Sequence, residues 1–194
     1  MIDAIMSGFR GLLRFSGRDR RSRFWPYALV IFALTFVGTG VLMGCVTASV
    51  FADAAAYAKA HPESVTVTTG PGHYSVQYHD MPPEAVGLPD FQLMARGIGG
   101  IAAVAVILLA AAVTRRLHDT GRAGWWGLPP AVLLLVGMAI FPMTMQQFIN
   151  DEGFDLFLLQ IATNALYVLS LMALIVLLVL DGTKGPNRYG PPQT

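Results

Sequence analysis

The segment RRLHDTGRAGWW, Arg115 to Trp126, gathers the residue types that chemistry needs. His118 beside Asp119 is the pairing used by metal phosphohydrolases, and it would also suit a general base, oriented by a carboxylate, acting on a lipid phosphate. A metal centre of that kind requires further His and Asp ligands from other helices, and the apolar stretches of the chain contain none. Arg115, Arg116 and Arg122 supply planar guanidinium forks that match phosphate geometry. No nucleophile accompanies them, so the residues predict anion binding or structure: no catalytic residue, no metal and no cofactor is assigned. His73 and His79 fall six apart on one predicted strand, far from each other, and with His61 they read as surface histidines. The single cysteine, Cys45, reads as a small buried hydrophobe.

Composition identifies the frame that must position these groups. The chain has 194 residues, 54% hydrophobic and 13% charged, whereas soluble domains average about 25% charged residues. That places it in the membrane class. A net charge of +1 gives no reason to expect nucleic acid as a partner. Four apolar stretches have the length and composition of transmembrane helices: 25–51, 97–113, 125–145 and 156–180, none carrying a charge. The first reaches roughly 40 Å at ~1.5 Å per residue, more than the ~30 Å hydrocarbon core, so it must tilt or project. In the third, Pro129 and Pro130 fall in the first turns, and Pro142 should kink or end the helix.

Basic residues sort by side. The segments 1–24, 114–124 and 181–194 together hold eleven Lys and Arg, while the loops 52–96 and 146–155 hold two. Because basic flanks stay on the cytoplasmic side, the expected topology is one membrane domain with both termini cytoplasmic. A cleaved signal peptide is the competing reading of the start, with Ala48, Phe51, Ala52 and Ala54 near possible cleavage sites. The basic leader is long for one, and the apolar run well exceeds a ~7–15-residue core.

At the start, Ile2, Ile5, Met6, Phe9, Leu12 and Leu13 recur at helical spacing with Arg10 and Arg14 on the flank. This predicts an amphipathic helix, either in the interface against anionic headgroups or packed on the bundle end. In the loop 52–96, SVTVTT (Ser64 to Thr69) and HYSVQYH (His73 to His79) alternate around Gly70-Pro71-Gly72, a hairpin signal. Pro82, Pro83 and Pro89 suggest an irregular return to the membrane. For packing, Gly40 and Gly44 followed by Ala48, and Ala95, Gly99 and Ala103, offer small residues every fourth position. Gln160 and Asn164 should face another helix. Trp25, Trp125 and Trp126 are expected at headgroup depth.

Three segments carry a family resemblance: FSGRDRRSRFW (Phe15 to Trp25), RRLHDTGRAGWW (Arg115 to Trp126) and DGTKGPNRYGPP (Asp181 to Pro192). Their sequence, order and placement beside spans one, two and four resemble the bacterial inner-membrane family called domain of unknown function 805. Arg23 stands where relatives often carry an acidic residue, and the outer loop is long for the family. The resemblance implies a small multi-span protein of the bacterial inner membrane and brings no activity with it.

With both termini on one side, the three motifs meet at one membrane face. Arg18, Arg21, Arg115, Arg116, His118, Asp119, Arg122, Asp181, Asn187, Arg188 and Tyr189 are the candidate polar cluster, with Asp119 and Asp181 as partners for two of the arginines. The expected function is non-enzymatic: this cluster binds anionic phospholipid headgroups or a membrane-protein partner, including a second copy, or it only caps the bundle. A small transporter or channel subunit and a lipid-phosphate enzyme are the alternatives.

Overall fold

A computed structural model describes residues 1–79 and 91–191. The chain is mostly helical. Helix α1 spans Ile2–Arg10, α2 Arg21–Ala60, α3 Phe91–Asp119, α4 Leu128–Ile149 and α5 Asp155–Val179. Four of these, α2 to α5, are long and apolar enough to cross a membrane. The expected irregular return at Pro82, Pro83 and Pro89 lies outside the described residues.

Helix α2 is longer than its apolar run. Its 40 residues correspond to about 60 Å, twice a hydrocarbon core, so the turns after Phe51 project beyond any span. Those turns read ADAAAYAKA, and alanine is the best helix former, so the helix continues past the point where hydropathy ends. A short 3₁₀ turn then leads into the strands β1 (Val65–Gly70) and β2 (His73–Tyr78), which pair antiparallel with Gly70 opposite His73. Pro71 and Gly72 form the turn. Proline fixes the first position and Gly72 takes φ +75°, the type II pattern. The expected hairpin therefore forms, at the far end of α2.

The helices pack in chain order, α2 on α3, α3 on α4 and α4 on α5, with α1 laid against α2. The buried apolar core is gathered near one end: Phe24, Tyr27 and Ile31 from α2, Ala112 and Leu117 from α3, Leu174 and Leu178 from α5. Tyr27 holds it together by donating to the Leu108 carbonyl at 2.8 Å. Elsewhere the helices expose Leu29, Phe32, Phe36, Ile107 and Leu169, a surface suited to lipid. Cys45 is also exposed on α2 rather than buried, because its face of the helix meets no neighbour.

Small residues do mediate close helix approach, at positions partly different from those expected. A side chain on Gly97 would strike Leu42, and one on Gly38 would touch Ile101. Gly99 faces Met138, but nothing among the described residues lies within 4 Å of a side chain built on Gly40 or Gly44. Gln160 faces Gly137 of α4, while Asn164 is exposed and donates back to the Gln160 carbonyl at 3.1 Å. At the end away from the core, Gln147 caps α5 by accepting the Leu156 amide at 3.0 Å.

Candidate functional site

The last turn of α3 is the hub. Successive residues on a helix are ~100° apart, so Arg115 and Arg116 leave α3 in different directions, while Arg116 and Asp119, one turn apart, share a face. The helix then stops in a Schellman turn: Gly121 has φ +77°, its amide donates to the His118 carbonyl at 3.0 Å, and the Arg122 amide donates to the Leu117 carbonyl at 2.9 Å.

Three guanidiniums radiate from and into this turn. Arg116, fully buried, donates through Nη1 to Asp119 Oδ2 at 2.5 Å and through Nε to the Leu178 carbonyl at 2.9 Å, with Nη2 on the Leu180 carbonyl. It thereby caps α5, whose last carbonyls have no partner within their own helix. Arg18 enters from the opposite side. Its Nε meets Asp119 Oδ1 at 3.0 Å, and its two Nη atoms donate to the carbonyls of Thr183 (2.7 Å), Gly185 (2.9 Å) and Gly190 (3.2 Å). Arg115 turns toward the N-terminal segment. Its Nε contacts Asp19 Oδ2 at 2.6 Å, and Nη1 donates to the carbonyls of Gly11 (2.7 Å) and Arg14 (2.5 Å).

These ions survive burial because each is matched. Removing a charge from water costs several kcal/mol, recovered only when an opposite charge and further hydrogen bonds are in place. Arg18, Asp19, Arg115, Arg116 and Asp119 are all buried, each is ion-paired, and the three guanidiniums also donate to backbone carbonyls. The result is a plate of arginines and aspartates that clips the segment after α1, the end of α3 and the tail after α5 to one another.

The tail is fastened by neutral contacts as well. The Thr183 amide donates to the Asp119 carbonyl at 2.9 Å, and a side chain on Gly182 would overlap the Asp119 carboxylate. Asn187 Nδ2 donates to the His118 carbonyl at 2.9 Å and to Thr183 Oγ1 at 3.0 Å, while Asn187 Oδ1 accepts the Tyr189 amide. The Tyr189 ring stacks on His118 with centroids 3.7 Å apart and planes 6° from parallel, and the Arg188 guanidinium lies 4.7 Å from the Tyr189 centroid. On the exposed rim, Arg21 donates to the Val179 carbonyl at 3.1 Å and pairs with Asp181.

The structure thus brings together Arg18, Arg21, Arg115, Arg116, His118, Asp119, Asp181, Asn187, Arg188 and Tyr189. Arg122 contributes its backbone amide, and its guanidinium makes no hydrogen bond among the described residues. The adjacency of His118 and Asp119 does not create an acid–base dyad. Asp119 is spent on Arg18 and Arg116, and His118 Nδ1 lies 3.2 Å from the Gly17 carbonyl, to which it must donate. No group of His, Cys, Asp and Glu among the described residues has the geometry to hold a metal ion. Asp19, Gly182 and Thr183 belong to the site although the sequence reading passed over them. The adjacent opposite charges in Arg18-Asp19 were the available signal.

Around the plate, Trp125 and Trp126 stack at 4.6 Å and are largely exposed, and Trp25 meets Phe24 edge-on at 5.2 Å. On α1, a side chain at Gly8 would collide with the Tyr27 ring, and Phe9 meets the same ring edge-on at 5.2 Å, so α1 lies tight on the end of the bundle. Met1, Ile2 and Leu13 remain strongly exposed. Two clefts flank the plate. One of about 320 Å³ lies between α1 and Arg115, and one of about 460 Å³ lies between the start of α2 and the tail, edged by Arg20, Arg21 and Lys184.

Four helices long and apolar enough to cross a membrane, closed at one end by a buried arginine–aspartate plate, define the class of the fold as a multi-pass helical membrane protein. The chain belongs to the family described as protein of unknown function DUF805, which matches residues 12–191 and so includes all three segments of the plate. No curated protein and no solved structure matches it.

Proposed function

We propose that this protein is a multi-pass component of a bacterial inner membrane, with both termini cytoplasmic, and that its plate end is a non-enzymatic docking surface for anionic phospholipid headgroups. One observation carries the reading. Three basic segments distant in sequence end at the same face, beside a helix whose Met1, Ile2 and flanking Leu13 are exposed. Basic flanks are retained in the cytoplasm, and an amphipathic helix with unburied apolar residues belongs at the headgroup–acyl boundary. Arg18 and Arg116 are saturated, which supports a structural role for them and leaves recruitment of anions to the exposed cations around the plate and to Arg115, whose Nη2 is not engaged.

Reporter fusions at the tail and in the Gly121 turn, with a third in the hairpin, test the orientation: the first two must report cytoplasm and the third periplasm. Native mass spectrometry of the purified protein tests the partner, and preferential retention of phosphatidylglycerol over phosphatidylcholine is the expected result. Equal retention of the two lipids would remove the headgroup reading. The open Gly40–Gly44 face of α2 supports a second reading, association with another transmembrane helix, from a second copy or a different protein.

A further inference from the structure

The smaller cleft is built differently from an ordinary charged surface. Its volume is about 320 Å³, and it is lined by Ser7 and Arg10 of α1, by Arg14 of the segment that follows, and by Asp19, Arg23 and Arg115. With Asp3 at its edge, four guanidiniums face two carboxylates. One of those carboxylates, Asp19, is already engaged by Arg115.

The floor is the informative part. Arg115 is only 5% exposed, and its Nε and Nη1 are committed to Asp19 and to the carbonyls of Gly11 and Arg14. Its Nη2 makes no hydrogen bond among the described residues and is not one of the fully buried unpartnered atoms, so it opens into the cleft with its donors available. That nitrogen lies only 3.1 Å from where a side chain on Gly11 would begin, so the absence of a side chain at position 11 keeps the space beside it open.

We propose that this cavity takes one phosphate group, held by Arg115 Nη2 at the floor and by Arg10 and Arg14 at the mouth, and presented by an anionic phospholipid of the adjoining leaflet. Guanidinium forks are suited to phosphate oxygens, and charge-assisted hydrogen bonds gain strength where water is thinned. The lipid is favoured over a free phosphate because the same α1 that walls the cavity exposes Ile2 and Met6, which would sit among acyl chains. The inference rests on the headgroup reading above and narrows it to one site.

The test uses the full chain in detergent, titrated by native mass spectrometry with phosphatidylglycerol, phosphatidylcholine, inorganic phosphate and glycerol 3-phosphate. Three variants are compared. Arg10→Gln with Arg14→Gln removes exposed charges from the mouth, Ser7→Leu fills the cavity without changing charge, and Arg20→Gln with Lys184→Gln removes equal charge from the other cleft. The expected result is one phosphatidylglycerol held tightly by the wild type and weakened at least about tenfold in the first two variants. The third should stay within about twofold, as expected for charges outside the site. Similar weakening in both Gln pairs, or indifference to the first two variants, overturns the cavity while leaving the headgroup reading in place. Saturable binding of glycerol 3-phosphate or inorganic phosphate without retention of phosphatidylglycerol overturns the lipid as the source. Binding of none of the four overturns both readings. Should Ser7→Leu lower the melting temperature, the surface pair Arg10→Gln with Arg14→Gln alone decides.

Discussion

Arg18 and Asp119 are 101 positions apart in the chain and 3.0 Å apart in the protein, with side chains 1% and 5% exposed. Their pairing ties the segment before the first long helix to the end of the second. Asp119 also receives Arg116, so one carboxylate balances two guanidiniums and its loss leaves both without a counter-charge.

Asp119→Ala should therefore be the most damaging single substitution in the plate. Breaking one side of a buried pair costs about 3–5 kcal/mol, and thermal unfolding in detergent should show a correspondingly large drop. Arg122→Ala, next along the same turn but outside the hydrogen-bonded set, should change stability by no more than about 0.5 kcal/mol. Equal effects of the two would contradict the assignment of Asp119 as the shared anion.

Gly182→Ala tests the seating of the tail. The added methyl would fall on the Asp119 carboxylate, so the tail must lift or the plate must shift. Overpacking of this kind typically costs about 1–3 kcal/mol. Limited proteolysis with a lysine-specific protease should cut after Lys184 faster than in the wild type, where Thr183 and Gly185 are held by Arg18.

His118 separates stacking from acid–base work. His118→Phe keeps an aromatic face for Tyr189 and should retain most of the tail protection, whereas His118→Ala should lose about 0.5–1.5 kcal/mol of ring contact in addition to the Gly17 hydrogen bond. If the phenylalanine variant proved as damaging as the alanine one, the imidazole nitrogen rather than the ring would be the important part.

Gly8→Leu should detach α1. A side chain there has no room against the Tyr27 ring, and the detached helix exposes Arg10 and Arg14 to trypsin. Faster cleavage at those two sites, with the α2–α5 bundle intact, is the expected pattern.

The sequence made four apolar helices legible because hydropathy over about twenty residues is a strong signal in lipid. It was less informative about where helices end. The extension of α2 to Ala60 follows from alanine propensity, which a hydropathy boundary at Phe51 ignores. Small-residue spacing was visible at Gly40 and Gly44, yet the contact falls on Gly38, because residues two apart on a helix point roughly 200° apart and spacing alone does not fix rotation. In the plate, opposite charges near helix ends pointed to Asp119 and Asp181. Which arginine meets which carbonyl depends on the path of the tail, and that path is set by Gly182, Asn187 and Tyr189 acting together.

Three of the carbonyls that accept from Arg18 belong to residues 183–190, which emerge from the ribosome only after all four long helices have been made. Until then the guanidinium near the start of the chain has Asp119 and no backbone acceptors from the tail. Insertion and closure are thus separate events in the life of this molecule. Whatever the order in which the long helices find their places, the polar face is complete only once the tail has come back to the beginning.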